Sequence, residues 1–435
     1  MGHIEGEHAY HQLEQRLDET LTGAPGSPAF TKILKLLFSQ EEAGLAGRIP
    51  SRPTSLELLS HRLKIDRNRL SDKLTGMAQR GLVIDLQLNG ESYFMLSPVA
   101  IGFFEFTFMR TRDDLPMAEL AHLFHEYMES PEDGRFAGSV FRGQTQLGRS
   151  LVQEEALPDG DHTEILDWER ASYIVQSASS AGVSLCACRH KASHLGKTCE
   201  SPQEACLSFN WAAEMLIRNG MAQSVDTGKA MSILERCKEA GLAQTGDNVQ
   251  RKGTYICNCC ACCCGMMGAI KTFEIRNAIV TSNWMCEIDQ SRCKGCGVCA
   301  RTCPMEAIGM SGEEEGRKRL WAVCDQALCL GCGVCYSACK HGAIRMKSRA
   351  QRVFTPETLF DRIVAMAIER GKLAQLFFPD PERVSHRALR RIIHALEASP
   401  PFKAAMAIAP LRSVFLGAMV KGAKRSAGEL AGIFE

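Results

Sequence analysis

The chain has 435 residues, with 51 lysine and arginine residues against 50 acidic residues and a formal net charge of +1. This balance excludes a protein that coats nucleic acid and a polyacidic chain, and the length allows two to four domains with hydrophobic cores. The 21 cysteines cluster between Cys186 and Cys339, whereas secreted disulfide frameworks are short and cysteine-dense throughout. The thiols therefore indicate metal binding in a reducing compartment.

The N-terminal residues lack the basic and apolar regions of a secretory signal, and no apolar run reaches membrane-spanning length. These features predict a cytoplasmic protein without an integral membrane segment. Residues 1–26 predict a short polar helix, from His11 to Leu21, followed by a linker rich in glycine and proline.

The sequence of residues 27–110 predicts three helices followed by a β-hairpin. Asp66 is a plausible N-cap for the third helix, and Asn89-Gly90 is a strong hairpin signal between two alternating runs. Apolar residues recur at helical spacing in Ala29–Phe38, at Leu56, Leu59 and Leu63, and at Leu70, Leu74 and Met77. The segment resembles a winged-helix domain, a fold used both for DNA binding and for docking to proteins.

The third helix of this segment carries basic residues that are suited to phosphate contacts. They are Arg67, Arg69, Lys73 and Arg80, together with Asn68. Asp72 interrupts this face, and the predicted wing tip carries no positive charge. DNA binding is possible on this sequence, but protein docking is favoured.

Residues 111–170 predict a helical linker with Phe124 and Tyr127 in its core. His122 and His125 lie three residues apart on one helix face, but no third ligand accompanies them, so we interpret both as ordinary helix residues.

Residues 171–272 predict a helical, cysteine-rich region. Its first four cysteines are Cys186, Cys188, Cys199 and Cys206. These thiols can hold a third iron–sulfur cluster, with positive charge from Arg189, Lys191 and Lys197 offsetting the negative charge of the thiolates. Structural zinc is the alternative.

A second run has six cysteines within eight residues: Cys257, Cys259, Cys260, Cys262, Cys263 and Cys264. Adjacent cysteines cannot all face one cluster without strain. One interpretation is a separate fourth cluster bound by four of the six, which we favour. The other is that this run shares ligands with Cys186–Cys206 in one larger cluster. Cys237, between the two runs, is interpreted as a small buried hydrophobe.

The segment from Cys293 to Cys339, which we call the duplicated segment, contains the pattern C-x2-C-x2-C-x3-C twice, 36 residues apart. This spacing predicts two [4Fe–4S] clusters, because three cysteines bind one cluster while the fourth faces the other. The predicted ligand sets are Cys293, Cys296, Cys299 with Cys339, and Cys329, Cys332, Cys335 with Cys303. The segment, within residues 273–350, resembles bacterial two-cluster ferredoxins; a zinc ribbon would instead have separated C-x2-C pairs.

The two repeats differ in their flanks. Pro304 follows Cys303, but Lys340 and His341 follow Cys339, and these basic residues are expected to raise the potential of the adjacent cluster. Cys286 and Cys324 are interpreted as packing residues on short strands. Trp284 and Trp321 are expected to occupy matching places and to shield the clusters from water, and Glu313–Arg319 to form a solvated hairpin tip.

Residues 351–435 predict a helical C-terminal region. Its last segment, about Pro401 to Lys424, is apolar but contains Pro410 and Arg412, so it does not span a bilayer. Packing on the rest of the protein is favoured over peripheral contact with a membrane or a partner.

The whole chain is predicted to be a multidomain α+β protein. The order of C-x-C-R-H, C-N-C-C-x-C-C-C and the duplicated segment resembles a family of large multi-cluster ferredoxin-domain proteins, which implies electron transfer between protein redox partners. No complete nucleotide-binding motif is present. Two alternatives remain: a redox- or iron-sensing winged-helix regulator, and a reductase with a special cluster at Cys257–Cys264. The oligomeric state is not predicted.

Overall fold

The structure is a computed structural model, and the chain divides into two compact units of mixed helix and sheet. The described residues are 2–130, 134–157, 167–312, 320–378, 380, 384–407 and 409–434. The first unit comprises Met1–Thr145, Met215–Ala222 and Glu357–Glu435, and the second comprises Gln146–Glu214 and Gln223–Pro356. The predicted hairpin tip at residues 313–319 lies outside the described residues.

The first unit begins with helices and a small antiparallel sheet in the order β1-β3-β2. The elements are α1 (Gly2–Asp18), α2 (Pro28–Leu37), α3 (Gln40–Ala46), β1 (Thr54–Ser55), α4 (Leu56–Leu63), α5 (Arg67–Gln79), β2 (Val83–Leu88) and β3 (Glu91–Leu96). Asp66 accepts hydrogen bonds from the backbone N–H groups of Asn68 and Arg69, each at 3.0 Å, and so caps α5 as predicted. Asn89 and Gly90 both have positive φ, which the two-residue turn between β2 and β3 requires.

Three further helices follow: α6 (Phe104–Phe108), α7 (Met117–Glu129) and α8 (Arg135–Val140). Phe124 and Tyr127 are buried as predicted, and Tyr127 stacks on Phe30 of α2 with ring centroids 4.6 Å apart. His125 hydrogen-bonds Glu129 one turn further along the helix.

The cysteine-rich middle region was predicted to be helical, but the structure differs. It is built on a six-stranded sheet in the order β4-β8-β9-β6-β5-β7. The elements are β4 (Gly148–Ser150), α9 (Ala171–Gln176), β5 (Ala181–Leu185), α10 (Ala187–His194), β6 (Glu204–Phe209), α11 (Asn210–Arg218), β7 (Gln223–Ser224), α12 (Thr227–Glu239), β8 (Ala243–Asp247), β9 (Tyr255–Cys259) and α13 (Gly265–Phe273). The strands are short and rich in small residues, so periodicity alone did not reveal them. Because β4 pairs with β8, the end of the predicted helical linker also belongs to this sheet.

The duplicated segment forms two short antiparallel ribbons related by the 36-residue repeat. Its elements are β10 (Trp284–Ile288), α14 (Val298–Thr302), β11 (Ile308–Ser311), β12 (Trp321–Cys324), α15 (Val334–Ser337) and β13 (Ile344–Ser348). β10 pairs with β13, and β11 pairs with β12. A shift of 36 sequence positions relates β10 to β12 and β11 to β13. Each ribbon therefore contains one strand from each repeat.

The C-terminal region is helical as predicted. It comprises α16 (Leu359–Arg370), α17 (Leu373–Phe377), α18 (Val384–Ala398), α19 (Pro400–Ala407), α20 (Ala409–Ala427) and α21 (Ala431–Phe434). Val420 and Ala423 of α20 are buried against Phe360 and Val364 of α16, which favours packing as the role of this segment. Among the described residues, none of the helices has the length and apolar character needed to cross a membrane.

Candidate iron–sulfur and thiolate sites

The two loops of the duplicated segment depend on glycines in a left-handed conformation. Gly295 has a φ of +65° and its repeat counterpart Gly331 a φ of +73°. A Cβ at Gly295 would collide with the carbonyl oxygen of Leu320, and one at Gly331 with the carbonyl oxygen of Trp284. Only glycine therefore allows each loop to pass so close to the strand of the other repeat.

These loops surround two cavities of similar size. We call them cavity A and cavity B. The cysteines that line cavity A are Cys293, Cys296, Cys299 and Cys339. Cavity B is lined by Cys303, Cys329, Cys332 and Cys335, and also by Cys286 and Cys324. Each cavity thus brings together one of the ligand sets predicted from the spacing, with its fourth cysteine contributed by the other repeat.

Backbone N–H groups point at two of these sulfurs. Ala322 donates to the Sγ of Cys293 at 3.4 Å, and Ala307 donates to the Sγ of Cys303 at 3.3 Å. Burial raises the pKa of the Cys299 and Cys303 thiols, and a metal ligand must be deprotonated. Metal binding would therefore favour the thiolate form of both side chains.

Two features of the duplicated segment were missed from the sequence. Cys286 and Cys324, interpreted as packing residues of short strands, also line cavity B. Trp284 and Trp321 do not occupy matching places, because the counterpart of Trp284 by the 36-residue shift is Leu320. Trp284 is buried and Trp321 is half-buried. Applying the shift to the flanking strands, and not only to the cysteine motif, would have found both features.

In the middle region, six thiols meet at one face of the sheet, and we call them the six-thiol group. They are Cys186, Cys188, Cys206, Cys257, Cys259 and Cys264. Cys206 of β6 lies directly opposite Cys257 of β9. Cys259 is two residues further along the strand and therefore points to the same face.

The remaining members of the six-thiol group come from helix starts. Cys264 precedes α13 and contacts Cys259, while Cys186 and Cys188 contact each other at the start of α10. Hydrogen bonding with neighbouring thiols, together with burial, raises the pKa of Cys188 and Cys264. So many thiols side by side are expected to bind metal, since they would otherwise be an oxidation liability.

The other four cysteines form a separate, more compact set, which we call the four-thiol group. Its members are Cys199, Cys260, Cys262 and Cys263, whose sulfurs all lie within 4.8 Å of one another. The Sγ atoms of Cys199 and Cys260 are 3.7 Å apart, and those of Cys262 and Cys263 are 3.6 Å apart. With Zn–S bonds of about 2.3 Å, tetrahedral ligand sulfurs lie about 3.8 Å apart. The spacing therefore fits one tetrahedral ion better than a cubane, whose ligands bind four different irons.

The grouping differs from both sequence interpretations. Cys199 is not with Cys186, Cys188 and Cys206, and the six-cysteine run does not act as one unit. The run divides because Cys259 ends β9 and Cys260 lies beyond it, packed in the apolar core with Cys263. Each thiol group consequently draws cysteines from both chain segments. Cys237 belongs to neither group and is fully buried in the same core, as predicted.

Arg189 lies between the two thiol groups. Its side chain is fully buried; Nη1 donates to the carbonyl oxygen of Asn258 at 3.0 Å and approaches the Sγ of Cys260 at 3.6 Å. The Cys263 thiol and the Arg189 guanidinium lower the pKa of Cys260 to about 4, against the opposite effect of burial.

Arg189 also faces Cys186 and Cys259 of the six-thiol group. Its Nε and Nη2 are buried without a hydrogen-bond partner among the described residues. A buried guanidinium with unpaired donors fits a site whose full negative charge arises only when metal-bound thiolates are present. Of the other two predicted cations, Lys191 is buried and Lys197 is exposed.

Three basic residues of α5 and its C-cap lie close to acidic residues of α3. Lys73 and Arg80 form ion pairs with Glu41 and Glu42 respectively, and Arg69 lies 3.8 Å from Glu41. These contacts reduce the positive charge that α5 offers to a phosphate backbone. At the turn between β2 and β3, Asn89 donates to Glu429 at 3.0 Å, so an acidic group also adjoins this turn.

Comparisons with known proteins find a match at the duplicated segment. Residues 292–343 match the family model of the 4Fe-4S dicluster domain. Neither the curated proteins nor the solved structures contain a significant match to this chain. The match covers both cysteine loops, so an iron–sulfur, ferredoxin-like domain is present at residues 292–343.

Proposed function

We propose that this protein is a multi-cluster electron-transfer protein that passes low-potential electrons between protein redox partners. The observation that carries the proposal is the pair of cavities in a segment that matches the dicluster family. The lining of each cavity includes one predicted ligand set, with three cysteines of one repeat and one of the other. A [4Fe–4S] cluster in each cavity supplies one-electron chemistry, within roughly −700 to +450 mV.

The eight cysteines Cys293, Cys296, Cys299, Cys339, Cys329, Cys332, Cys335 and Cys303 are the proposed ligands of these two clusters. The side chains around them limit the access of water. Ile288, Ala343 and Ile344 line cavity A, and Ile308, Leu330 and Met346 line cavity B. An apolar lining of this kind stabilises the less charged state of a cluster and helps to set its potential.

The two thiol groups of the middle region are proposed as further metal sites. The six-thiol group has more than the four ligands that a third cluster needs. The four-thiol group is assigned to a single zinc ion, on the 3.6–3.7 Å sulfur separations. Arg189 offsets negative charge at both groups. The sequence predicted one or two further clusters in the middle region. With zinc at the four-thiol group, we propose one further cluster, at the six-thiol group.

The regulator is the less favoured alternative. Helices α2, α4 and α5 with strands β1, β2 and β3 have the element order of a winged helix, and we propose that this segment is such a domain. The ion pairs of Lys73 and Arg80 with α3, however, remove much of the basic surface that DNA binding needs. Docking to a protein partner therefore fits this domain better.

A reductase with an open iron position at Cys257–Cys264 is also less favoured. Such a site would lack a thiolate, whereas the six-thiol group has a surplus of thiols. A carrier of low-potential electrons with this many thiols would act in a reducing compartment, and the cytoplasm is our proposed location.

The test is to measure iron, acid-labile sulfide and zinc per chain in protein purified without oxygen, and to record EPR spectra after reduction with dithionite. The proposal predicts about twelve iron atoms in three clusters and about one zinc ion. Reduction should produce signals of interacting clusters. About eight iron atoms with zinc in the middle region would confine the redox chemistry to the duplicated segment and favour the regulator, while absence of iron would refute electron transfer.

A further inference from the structure

Cavities A and B are equivalent by the 36-residue repeat, but their linings differ at two positions. The counterpart of Cys324 in cavity B is Ile288 in cavity A, and the counterpart of Cys286 is Ala322. Both counterparts line cavity A, so the four positions occupy corresponding places around the two cavities. One cavity thus has four cysteines and the other has six.

The additional thiols lie beside predicted ligands. The thiol of Cys324 contacts that of Cys329, and the thiol of Cys286 contacts those of Cys335 and Cys324. Both are held by regular strands: Cys286 of β10 lies opposite Met346, and Cys324 of β12 lies opposite Ile308. Strand pairing positions the two thiols independently of the cysteine loop that carries Cys329, Cys332 and Cys335.

We propose that Cys324 and Cys286 are reserve ligands of the cluster in cavity B, with Cys324 able to replace Cys329 and Cys286 able to replace Cys335. Cavity B then keeps its cluster when one loop cysteine is lost or released, whereas cavity A does not. The inference assumes only that cavity B holds an iron–sulfur cluster; it does not depend on the identity of the redox partners.

The exchange is a simple ligand substitution. The Fe–S bond to Cys329 breaks and a new Fe–S bond forms to Cys324. The proton released by the incoming Cys324 thiol is taken up by the departing Cys329 thiolate, so the charge and the oxidation state of the site do not change. The contact between these two thiols provides the short path that such an exchange needs.

The experiment compares ligand removal in the two cavities of the full-length protein. Cys293→Ala removes a ligand of cavity A, and Cys329→Ala removes its repeat counterpart from cavity B. Cys293→Ala is expected to lose about four iron atoms per chain, the content of one cubane. Cys329→Ala is expected to keep the iron content of the unmodified protein but to show an altered EPR spectrum of the reduced cluster, because one ligand has changed position.

The matched double variant removes the reserve thiol as well. Cys324→Ile gives cavity B the residue found in cavity A, and alone it should leave the iron content unchanged. Cys329→Ala with Cys324→Ile should lose about four iron atoms. Equal iron contents in this double variant and in Cys329→Ala would overturn the proposal, as would loss of four iron atoms from Cys329→Ala alone.

A gain-of-function variant guards against failure to fold. Ile288→Cys introduces a reserve thiol into cavity A, so Ile288→Cys with Cys293→Ala should regain the iron that Cys293→Ala loses. Failure of this rescue in a protein that retains the cluster of cavity B would contradict the proposed role of this strand position. Iron in the unmodified protein tests the proposed function separately, since its absence would refute the clusters themselves.

Discussion

The duplicated segment and the cysteine-rich middle region gather thiols by different means. In the duplicated segment, each loop contributes three cysteines that are close in sequence, and glycines with positive φ bend the loop around an open cavity. In the middle region, cysteines from strands and helix starts up to 78 residues apart come together by sheet pairing, and the four-thiol sulfurs are in contact. A loop motif creates space for a cubane, whereas the compact four-thiol group fits one ion.

The largest expected effect tests whether these regions hold independent metals. Cys199→Ser and Cys260→Ser should each abolish zinc binding and leave iron unchanged, because both thiols belong to the four-thiol group although they are 61 residues apart. Structural zinc–thiolate sites contribute apparent binding free energies of about 10–16 kcal/mol. Elemental analysis of the purified variants measures both metals.

Two variants calibrate this result. Cys296→Ser, in cavity A, should lower the iron content and leave zinc unchanged, which is the reverse pattern. Cys237→Ser, in the core but outside both thiol groups, should change neither metal. Loss of iron together with zinc in Cys199→Ser would contradict the grouping seen in the structure. It would support the sequence prediction that places Cys199 with Cys186, Cys188 and Cys206.

The next largest effect is expected at the glycines with positive φ in the cysteine loops of the duplicated segment. Gly331→Ala would place a Cβ against the carbonyl oxygen of Trp284 at a φ of +73°. The left-handed backbone costs about 1–2 kcal/mol, and displacement of the crowded strand adds about 1–3 kcal/mol. Chemical denaturation of the metal-loaded protein should therefore show a lower free energy of unfolding.

Gly309 provides the matched control within the same segment. It lies on β11, its φ is not positive, and a Cβ there would have no neighbour within 4 Å. Gly309→Ala is expected to be neutral or slightly stabilising, because alanine loses less backbone entropy than glycine on folding. A Gly331→Ala protein as stable as Gly309→Ala would show that close approach is not what the loop requires.

A smaller effect is expected from the charge between the thiol groups. Arg189→Met removes the buried guanidinium that faces Cys186, Cys259 and Cys260, so the metal-bound thiolates lose their compensating charge. Loss of a supporting interaction of this kind typically lowers metal affinity about 10–100-fold. Competition with a chromogenic zinc chelator measures the change for the four-thiol group.

Arg189→Lys separates charge from geometry. Lysine keeps the positive charge but lacks the planar group that reaches both Asn258 and Cys260. It should retain part of the affinity if charge dominates. An affinity unchanged in Arg189→Met would mean that the arginine serves packing alone.

The sequence was informative where the determinants are local. The spacing of Cys293, Cys296 and Cys299 predicted that the three side chains face one site, and in the structure all three line cavity A. This could be predicted because the path of a short loop depends on few residues. The capping of α5 by Asp66 and the turn at Asn89-Gly90 were predictable for the same reason. The winged-helix interpretation and metal ligation by the individual cysteines stay predictions.

The grouping of the middle cysteines could not be predicted, because it depends on long-range register. Cys206 meets Cys257 only through the pairing of β6 with β9, and neither strand has a clear alternation of apolar and polar residues. The interpretation of Cys286 and Cys324 as packing residues stays a prediction, and the lining of cavity B adds a second feature of both. This feature is apparent only when the 36-residue shift is extended to the flanking strands, where the counterparts are Ala322 and Ile288.

The smallest expected effect concerns the electrostatic difference between cavities A and B. His341 lines cavity A, and its counterpart in cavity B is Met305. Lys340 is exposed beside Cys339, where cavity B has Pro304. Positive charge beside a cluster favours its more negative, reduced state. The combined variant Lys340→Gln with His341→Met should therefore lower the potential of the cavity A cluster in a redox titration followed by EPR, and bring the two clusters closer to equivalence.

Lys347→Gln is the control for this last prediction. It removes one positive charge from β13 at a residue that pairs with Glu287 and lines neither cavity. Solvent and salt screen an exposed charge of this kind, so its effect on either potential should be smaller than that of the combined variant. Equal shifts in the two proteins would assign the difference between the clusters to overall charge, and not to the two basic residues that follow Cys339.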